Sequence, residues 1–266
     1  MNILEAIIER KKVEVEERKA ATPVEVLRQS ELYARPVVSL KQFLLDETKT
    51  GIIAEFKRRS PSKGSINEQA NVVEVTTAYT TNGASALSVL TDEYFFGGST
   101  ADLLKARVNE IPILRKDFII DEYQIEEAKA MGADVILLIA ACLTPAQVQS
   151  LAAYAKQLGL EVLLELHAEE ELQHVCEETG IVGINNRDLK TFKVDIERSL
   201  RMAEQIPPGK IKVAESGIST IENILLFQKH GFKGFLIGEN FMKEENPADA
   251  FRHFAHNLQD SLTKGL

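Results

Sequence analysis

Four cationic side chains lie close together in a chain that is acidic overall. The stretch 54–64 contains all four, whereas the whole sequence carries a formal net charge of -9. They are Lys57, Arg58, Arg59 and Lys63. A local excess of positive charge in an acidic protein is typical of a site for an anionic ligand. Glu55 stands beside these cations, so the same stretch also offers a carboxylate.

The residues before this basic stretch predict how its side chains are arranged. Gly51 to Ala54 is a short apolar run with β character, and a helical pattern follows over about 68–81. Because side chains alternate along a strand, Glu55 and Lys57 share one face. An acid and a base therefore stand side by side on a turn that leads from a strand to a helix.

The same alternation of strand and helix continues to the end of the chain. The predicted strands are 51–57, 86–91, 112–116, 133–140, 161–166, 182–185, 211–215 and 234–238. The predicted helices are 68–81, 99–109, 121–131, 144–158, 168–178, 197–206, 219–230 and 248–262. Eight strand–helix units predict an α/β fold of one domain, residues 1–266, in a closed (β/α)8 TIM barrel. An open doubly wound sheet is the alternative.

Residues 1–49 precede this repeat and predict a helical extension at the N-terminus. Ile3, Leu4, Ile7 and Ile8 form an apolar stripe, and Thr22-Pro23 reads as the start of a second helix with Thr22 as N-cap. A third short helix is expected near Ser39. The extension has too few apolar residues for a core of its own. We therefore expect it to cover the barrel site.

Polar residues end several of the predicted strands. They are Glu55, Lys57, Thr91, Lys116, Glu165, Asn185, Arg187, Glu215 and Ser216. Leu114, Leu163 and Val213 lie two residues before Lys116, Glu165 and Glu215, and therefore on the same face of each strand. That face thus changes from core residues to functional groups at the end of the strand. Barrel enzymes bind their ligands at the C-terminal ends of the strands. We expect these side chains to meet there, although each taken alone could be a structural ion pair.

Two glycine-containing turns suggest a phosphate site. Residues 215–218 follow the seventh strand and residues 237–240 follow the eighth. Barrels bind phosphate at these positions through backbone N–H groups. The glycines could also serve only the tight turns between strand and helix. The basic first loop favours the phosphate interpretation.

Composition excludes several other classes of protein. The pI near 5.2 argues against nucleic-acid binding. The longest apolar run, 135–143, is too short to span a membrane, and Glu5 and Glu9 stand where a signal peptide would be apolar. Cys142 and Cys176 show no metal-ligand spacing. We expect a cytoplasmic protein that is a monomer, binds no metal and acts on a small molecule.

Together, these segments closely resemble the indole-3-glycerol phosphate synthase family of tryptophan biosynthesis. The matching motifs are AEFKRRSPSKG at 54–64, LSVLTDEYFFGGS at 87–99, PILRKDFIIDEYQI at 112–125, ADVILLI at 133–139, GINNRDL at 183–189, AESGI at 214–218 and FLIGENFM at 235–242. The resemblance implies a lyase that closes the ring of 1-(2-carboxyphenylamino)-1-deoxyribulose 5-phosphate and releases carbon dioxide and water. It implies no metal and no organic cofactor.

The resemblance also implies roles for the strand-end residues. Lys116 is the expected general acid at the substrate carbonyl, and Lys57 the partner of a substrate anion and of later proton transfer. Glu165 is expected to stabilise the positive charge near the amine. The residues expected to orient this network or to belong to it are Glu55, Asn185 and Glu215. A lysine can serve as this acid if neighbouring cations or desolvation bring its pKa toward neutrality.

The remaining residues implied by the resemblance bind substrate. Phe96 and Phe118 are expected against the aromatic ring, and Arg187 near the carboxylate. The expected phosphate contacts are Ser60, Ser216, Gly217, Gly238 and Glu239.

Two rival functions stay open at this point. One is another phosphate-binding barrel enzyme, such as the sugar isomerase that acts one step earlier in the same pathway. The other is a phosphate-metabolite binding protein without catalysis, against which Lys57, Lys116 and Glu165 argue.

Overall fold

The centre of the protein is a closed barrel of eight parallel strands. The computed structural model describes residues 3–188, 191 and 193–263, so Leu189, the last residue of the motif at 183–189, lies outside it. The strands are Ile52–Phe56, Ala86–Leu90, Ile113–Lys116, Val135–Ile139, Glu161–Leu166, Ile181–Asn185, Ile211–Glu215 and Phe232–Ile237. The first strand pairs with both the second and the eighth. The predicted TIM barrel is confirmed, and the open sheet is wrong because such a sheet would leave two edges unpaired.

Helices connect the strands on the outside of the barrel. They are Val72–Thr81, Thr100–Ala106, Glu122–Ala130, Pro145–Gln157, Ile196–Gln205, Ile221–Lys229, Glu239–Met242 and Pro247–Thr263. The predicted helix at 168–178 is wrong: a 3-10 helix, Glu169–His174, takes its place. Its bonds from Glu171 N to Ala168 O and from Val175 N to Leu172 O span three residues, which winds the segment too tightly for an α-helix.

Alternation along the strands divides the core into two layers. Ile53, Leu114, Leu163 and Val213 belong to a cluster inside the barrel. The intervening residues, such as Ile52 and Ala54, pack outward against the helices. Because the inner cluster fills the barrel, polar side chains in the same phase are confined to the strand ends.

Three helices precede the barrel: α1 (Ile3–Ala21), α2 (Val24–Leu27) and α3 (Leu40–Leu45). Ser39 caps α3 as expected, since its Oγ accepts the N–H of Gln42. The predicted cap at Thr22 is wrong. Its N–H bonds to Arg18 O and thereby completes the end of α1, so that Pro23 becomes the N-cap of α2.

The extension contacts both ends of the barrel. Leu40 and Leu44 of α3 join the inner cluster. Ser39 Oγ donates to Glu161 Oε1 at the start of the fifth strand (2.7 Å), which places α3 at the N-terminal ends of the strands. Helix α1 instead reaches the loops that follow the second and third strands. Only α1 therefore lies where we expected a cover for the site.

A buried lysine joins α1 to those loops. Lys11 Nζ lies 2.9 Å from Asp92 Oδ2, 2.9 Å from Asp117 Oδ1 and 2.8 Å from Glu14 Oε2. Burial alone would raise the pKa of Asp117, but Lys11 and Arg115 outweigh it and lower that pKa to about 2. Asp117 follows Lys116 directly. The ammonium of α1 thus neutralises carboxylates next to the predicted catalytic strand end.

Replacing Lys11 with methionine is expected to reduce the free energy of unfolding by about 3–5 kcal/mol. The variant leaves Asp92 and Asp117 buried without their shared counter-charge. Urea unfolding monitored by circular dichroism would measure the loss.

Lys12→Met is the matched control, because Lys12 is on the same helix and pairs only at the surface with Glu9. We expect this change to cost less than about 1 kcal/mol. Equal effects of the two substitutions would contradict the structural role of Lys11.

None of the helices in the described part of the chain combines the length and apolar character needed to cross a membrane.

Candidate active site

A ring of charged side chains occupies the C-terminal ends of the strands. Lys116 Nζ lies 2.9 Å from Glu165 Oε2 and 3.8 Å from Glu215 Oε2. Asn185 Nδ2 donates to the other oxygen of Glu165, at 3.1 Å. These residues end the third, fifth, sixth and seventh strands. Strand alternation therefore brings together four residues that are far apart in the chain.

A second charged pair ends the first strand. Lys57 Nζ lies 2.7 Å from Glu55 Oε1, so the face predicted from alternation is present. Ser88 Oγ of the second strand stands 3.5 Å from Glu55 Oε2. A Cβ on Gly238 would lie 2.6 Å from Glu55 Oε1. Gly238 is therefore needed here because any side chain would collide with the buried carboxylate.

The carboxylates around Lys116 stabilise its charged ammonium form. Burial opposes its charge, but Glu165, Glu215 and Glu55 outweigh burial and raise the pKa of Lys116 above its ordinary value. The condition of a pKa shifted toward neutrality is therefore not met, because the pKa of Lys116 is shifted in the opposite direction. Three carboxylates face the ammonium, whereas that condition assumed cations or desolvation alone.

The two glutamates beside Lys116 differ in charge. Burial would raise the pKa of Glu165, but Lys116 and His167 lower it well below the ordinary value. Burial and the neighbouring Glu165 raise the pKa of Glu215 well above its ordinary value. Glu165 is thus stabilised as an anion, whereas the charged form of Glu215 is disfavoured. Glu165 can therefore accept a proton or stabilise a cation, and Glu215, when protonated, can donate a hydrogen bond.

Two aromatic rings follow the second and third strands and lie close to each other. The centroids of Phe96 and Phe118 are 5.9 Å apart. Asp92 Oδ1 accepts the N–H of Phe96 at 3.2 Å, and Asp117 Oδ1 accepts the N–H of Phe118 at 2.8 Å. Lys11 binds both of these aspartates. The buried lysine of α1 therefore supports both turns that carry the aromatic rings.

The turn after the seventh strand has the geometry expected of an anion site. Ser216 has a φ of 64° and Gly217 a φ of 68°, so both backbones adopt the left-handed region. Successive N–H groups in such turns form concave surfaces that bind anions. Glu239 Oε2 lies 3.6 Å from an Arg187 nitrogen, and Glu239 Oε1 lies 3.3 Å from Lys63 Nζ. The basic first loop therefore reaches the turn after the eighth strand.

The first loop forms a small hairpin whose strands are Arg59–Ser60 and Gly64–Ser65. Ser60 is buried, and its Oγ lies 3.4 Å from Ser62 Oγ. Arg58 pairs with Asp102, and Arg59 donates to Glu93 O at 2.8 Å. The base of the loop is thus tied to the second strand–helix unit. Its tip, from Pro61 to Gly64, is exposed.

We expect substrate to protect this tip from protease. The tip buries little apolar surface, so an anionic ligand could order it and offset the lost entropy. Trypsin cleavage after Lys63, followed by mass spectrometry, should slow severalfold when a saturating substrate analogue is present. Equal cleavage rates would count against closure of the loop.

The structure adds His167 to the site residues that the sequence identified, and it places Thr91 outside the site. His167 Nε2 lies 2.9 Å from Glu165 Oε1. His167 follows Glu165 in phase, and this alternation was the signal that could have identified it. Thr91 instead donates to Asp117 Oδ2 and accepts from Arg115 Nε, outside the ring around Lys116. Within the described ranges, no cluster of His, Cys, Asp or Glu is arranged to hold a metal ion.

Comparison with known proteins assigns this barrel to a family. A family model described as indole-3-glycerol phosphate synthase matches residues 4–254. The chain belongs to the indole-3-glycerol phosphate synthase family. An indole-3-glycerol phosphate synthase of Bacteroides thetaiotaomicron is 48% identical over 97% of this chain and 99% of its own length. One of Salinibacter ruber is 43% identical over 94% of both chains.

Family membership confirms the function predicted from the motifs. The chain is an enzyme, a decarboxylating lyase of tryptophan biosynthesis that acts on a small molecule. The isomerase and the non-catalytic binding protein are therefore wrong as functions. Every strand-end residue named above lies within the matched region.

Solved structures support the fold independently. The tryptophan synthase complex of Pyrococcus furiosus contains a chain that is 16% identical, with a TM-score of 0.60 over 80% of this chain and 99% of its own. A thiamine phosphate pyrophosphorylase from the same organism is 16% identical, with a TM-score of 0.56 over 79% of this chain and 96% of its own. At this identity the likeness concerns the barrel alone.

Proposed function

We propose that the ring around Lys116 closes the indole ring of 1-(2-carboxyphenylamino)-1-deoxyribulose 5-phosphate. The observation that carries this proposal is the buried ammonium of Lys116, which lies 2.9 Å from Glu165 Oε2 and 3.8 Å from Glu215 Oε2. The ammonium of Lys116 and the carboxylate of Glu165 lie side by side, and the reaction has two corresponding requirements. The carbonyl oxygen must be protonated, and a cation must be stabilised.

In the first step, Lys116 gives a proton to the carbonyl oxygen while the ring carbon that bears the carboxylate attacks the carbonyl carbon. The product is an iminium at the anilino nitrogen, which Glu165 stabilises. Carbon dioxide then leaves, and the electron pair of the broken bond neutralises the iminium and restores the aromatic ring.

In the last step, water leaves with a second proton on the former carbonyl oxygen. The carbon next to the nitrogen loses one proton, and the indole forms. Lys57 would supply the second proton, and Glu165 would accept the one released. Two protons are donated and one is recovered, so each turnover consumes one proton.

Binding groups surround this chemistry. Phe96 and Phe118 would enclose the aromatic ring, so that the attacking carbon stays near the carbonyl. Arg187 and Lys57 would attract the carboxylate. We assign the substrate phosphate to Ser60 and to the turns at Ser216, Gly217, Gly238 and Glu239. The left-handed turn at Ser216 and Gly217 and the nearby Lys63 support this assignment.

Fluorescence of the indole product tests the proposal. Purified protein mixed with the carboxyphenylamino deoxyribulose phosphate should produce indole-3-glycerol phosphate and carbon dioxide in equal amounts. Phosphoribosylanthranilate, the substrate of the preceding isomerase, should give no product and serves as the control. Absence of turnover in folded protein would overturn the proposal. The monomeric state and the cytoplasmic location stay predictions.

A further inference from the structure

His167 lies directly beyond Glu165 at the mouth of the barrel. It comes two residues later in the chain, so both side chains belong to the same face of the fifth strand and its extension. Its backbone N–H donates to Glu171 Oε2 at 2.6 Å. The His167 side chain is only 6% exposed. The imidazole is therefore held inside the site by the turn that follows the strand.

The contact of His167 with Glu165 is short, but its hydrogen-bond geometry is poor. Nε2 lies 2.9 Å from Glu165 Oε1, a hydrogen-bond distance, but the ring N–H is poorly aligned with that oxygen. Neither ring nitrogen makes a well-aligned hydrogen bond to a residue that the structure describes. Leaving a buried polar group in this state costs about 1–3 kcal/mol.

A nearby histidine shows what a purely structural imidazole looks like here. His174, in the 3-10 helix Glu169–His174, is also buried. Its Nδ1 lies 3.0 Å from Glu171 O and its Nε2 lies 2.9 Å from Leu143 O. Both of its nitrogens thus contact backbone carbonyls, whereas the nearest polar partner of His167 is a carboxylate of the site.

Catalysis would change the partners of Glu165. Its Oε2 is bound by Lys116 and its Oε1 by Asn185. In the proposed first step, Lys116 turns toward the substrate carbonyl and loosens its contact with Glu165. A buried carboxylate that loses its cation needs another donor to keep its charge and orientation. A rotation of the His167 ring would supply one, because Nε2 is already at hydrogen-bond distance from Oε1.

We propose that His167 is a positioning residue that holds the Glu165 carboxylate while Lys116 engages the substrate. The inference rests on the proposed function of Lys116 and Glu165. It needs only an N–H donor at the position of Nε2, not a proton transfer, so the tautomer with its proton on Nε2 suffices. A glutamine amide reaches about the same position and should replace the imidazole.

Three variants test this role in the indole fluorescence assay. His167→Leu removes the donor and should lower kcat about tenfold, the effect of about 1.4 kcal/mol on the barrier, with KM within about twofold. His167→Gln restores an N–H donor and should recover most of kcat. His174→Leu is the matched control. It should lower the melting temperature while kcat stays near that of the wild type.

The outcomes separate the possibilities. A wild-type kcat in His167→Leu, or a His167→Gln variant no faster than His167→Leu, overturns the inference while the function stands. If the wild-type protein itself gives no indole product, the proposed function fails first. Should His167→Leu not fold, His167→Met takes its place, since its flexible side chain packs more readily.

Discussion

Lys116→Met is expected to lower kcat by about a hundredfold or more, with the fold intact. The variant removes the acid that would protonate the carbonyl oxygen. It also leaves Glu165 buried without its cation, so the pKa of Glu165 should rise and the carboxylate should take up a proton. KM should change less than kcat, because the aromatic and phosphate contacts that we propose involve other residues. Steady-state kinetics and thermal unfolding of one preparation would measure all three quantities.

Lys210→Met is the matched control for this experiment. Lys210 Nζ binds Cys176 O and, at 3.0 Å, Glu177 O, next to the start of the seventh strand. It lies at the opposite end of the barrel from Lys116, so its loss should affect stability and not kcat. A folded Lys116→Met protein with nearly normal kcat would contradict the assignment of Lys116 as the general acid. Lys57 would then become the preferred acid.

Removing the phosphate from the substrate is expected to lower kcat/KM by roughly a thousandfold. Hydrogen bonds to a charged group contribute about 1.5–3 kcal/mol each, so the loss of two of them gives about 4 kcal/mol. The donors in question are the backbone N–H groups of the turns at Ser216–Gly217 and Gly238–Glu239 and the side chain of Ser60. Comparing kcat/KM for the parent and dephosphorylated substrates gives this value directly.

Inorganic phosphate provides a second arm of the same test. It should compete with the parent substrate for the anion site. It should inhibit the dephosphorylated substrate much less, because that substrate leaves the site open and both can bind together. If the dephosphorylated substrate matched the parent in kcat/KM, the two glycine turns would have to be reassigned as structural.

The charge state of the site has a consequence for substrate entry. The substrate brings a carboxylate and, as proposed, a phosphate to a ring that already contains Glu55, Glu165 and Glu215. Burial and Glu165 raise the pKa of Glu215 and so disfavour its charge, and the ammonium groups of Lys57 and Lys116 lie beside the carboxylates of the ring. The basic tip with Lys63 and the guanidinium of Arg187 lie at its rim, where an anion would meet them first. Cations at the rim can thus offset the repulsion between substrate and glutamates.

Local sequence patterns were enough to predict the barrel. Apolar runs of strand length alternate with helical patterns eight times, and a short polar residue or proline begins several of the helices. Thr144 forms a capping box with Gln147 before Pro145, at the start of the helix predicted over 144–158. The α-helix predicted over 168–178 was wrong, because the Glu171 carboxylate accepts the N–H groups of His167 and Ala168 and helps to form a tight 3-10 turn. Side-chain bonds of this kind have no periodic signature.

The sequence by itself determined which strand ends carry polar groups, since alternation places Lys116, Glu165 and Glu215 in phase with buried leucine and valine. Only the tertiary structure decided how these groups pair. Barrel closure brings Lys116 against Glu165 and Glu215. In this buried cluster the pKa of Glu165 is lowered and the pKa of Glu215 is raised. The same closure sets Lys11 beneath the aromatic turns and His167 beside Glu165. Pairing across strands depends on register and barrel closure, and a single strand contains neither.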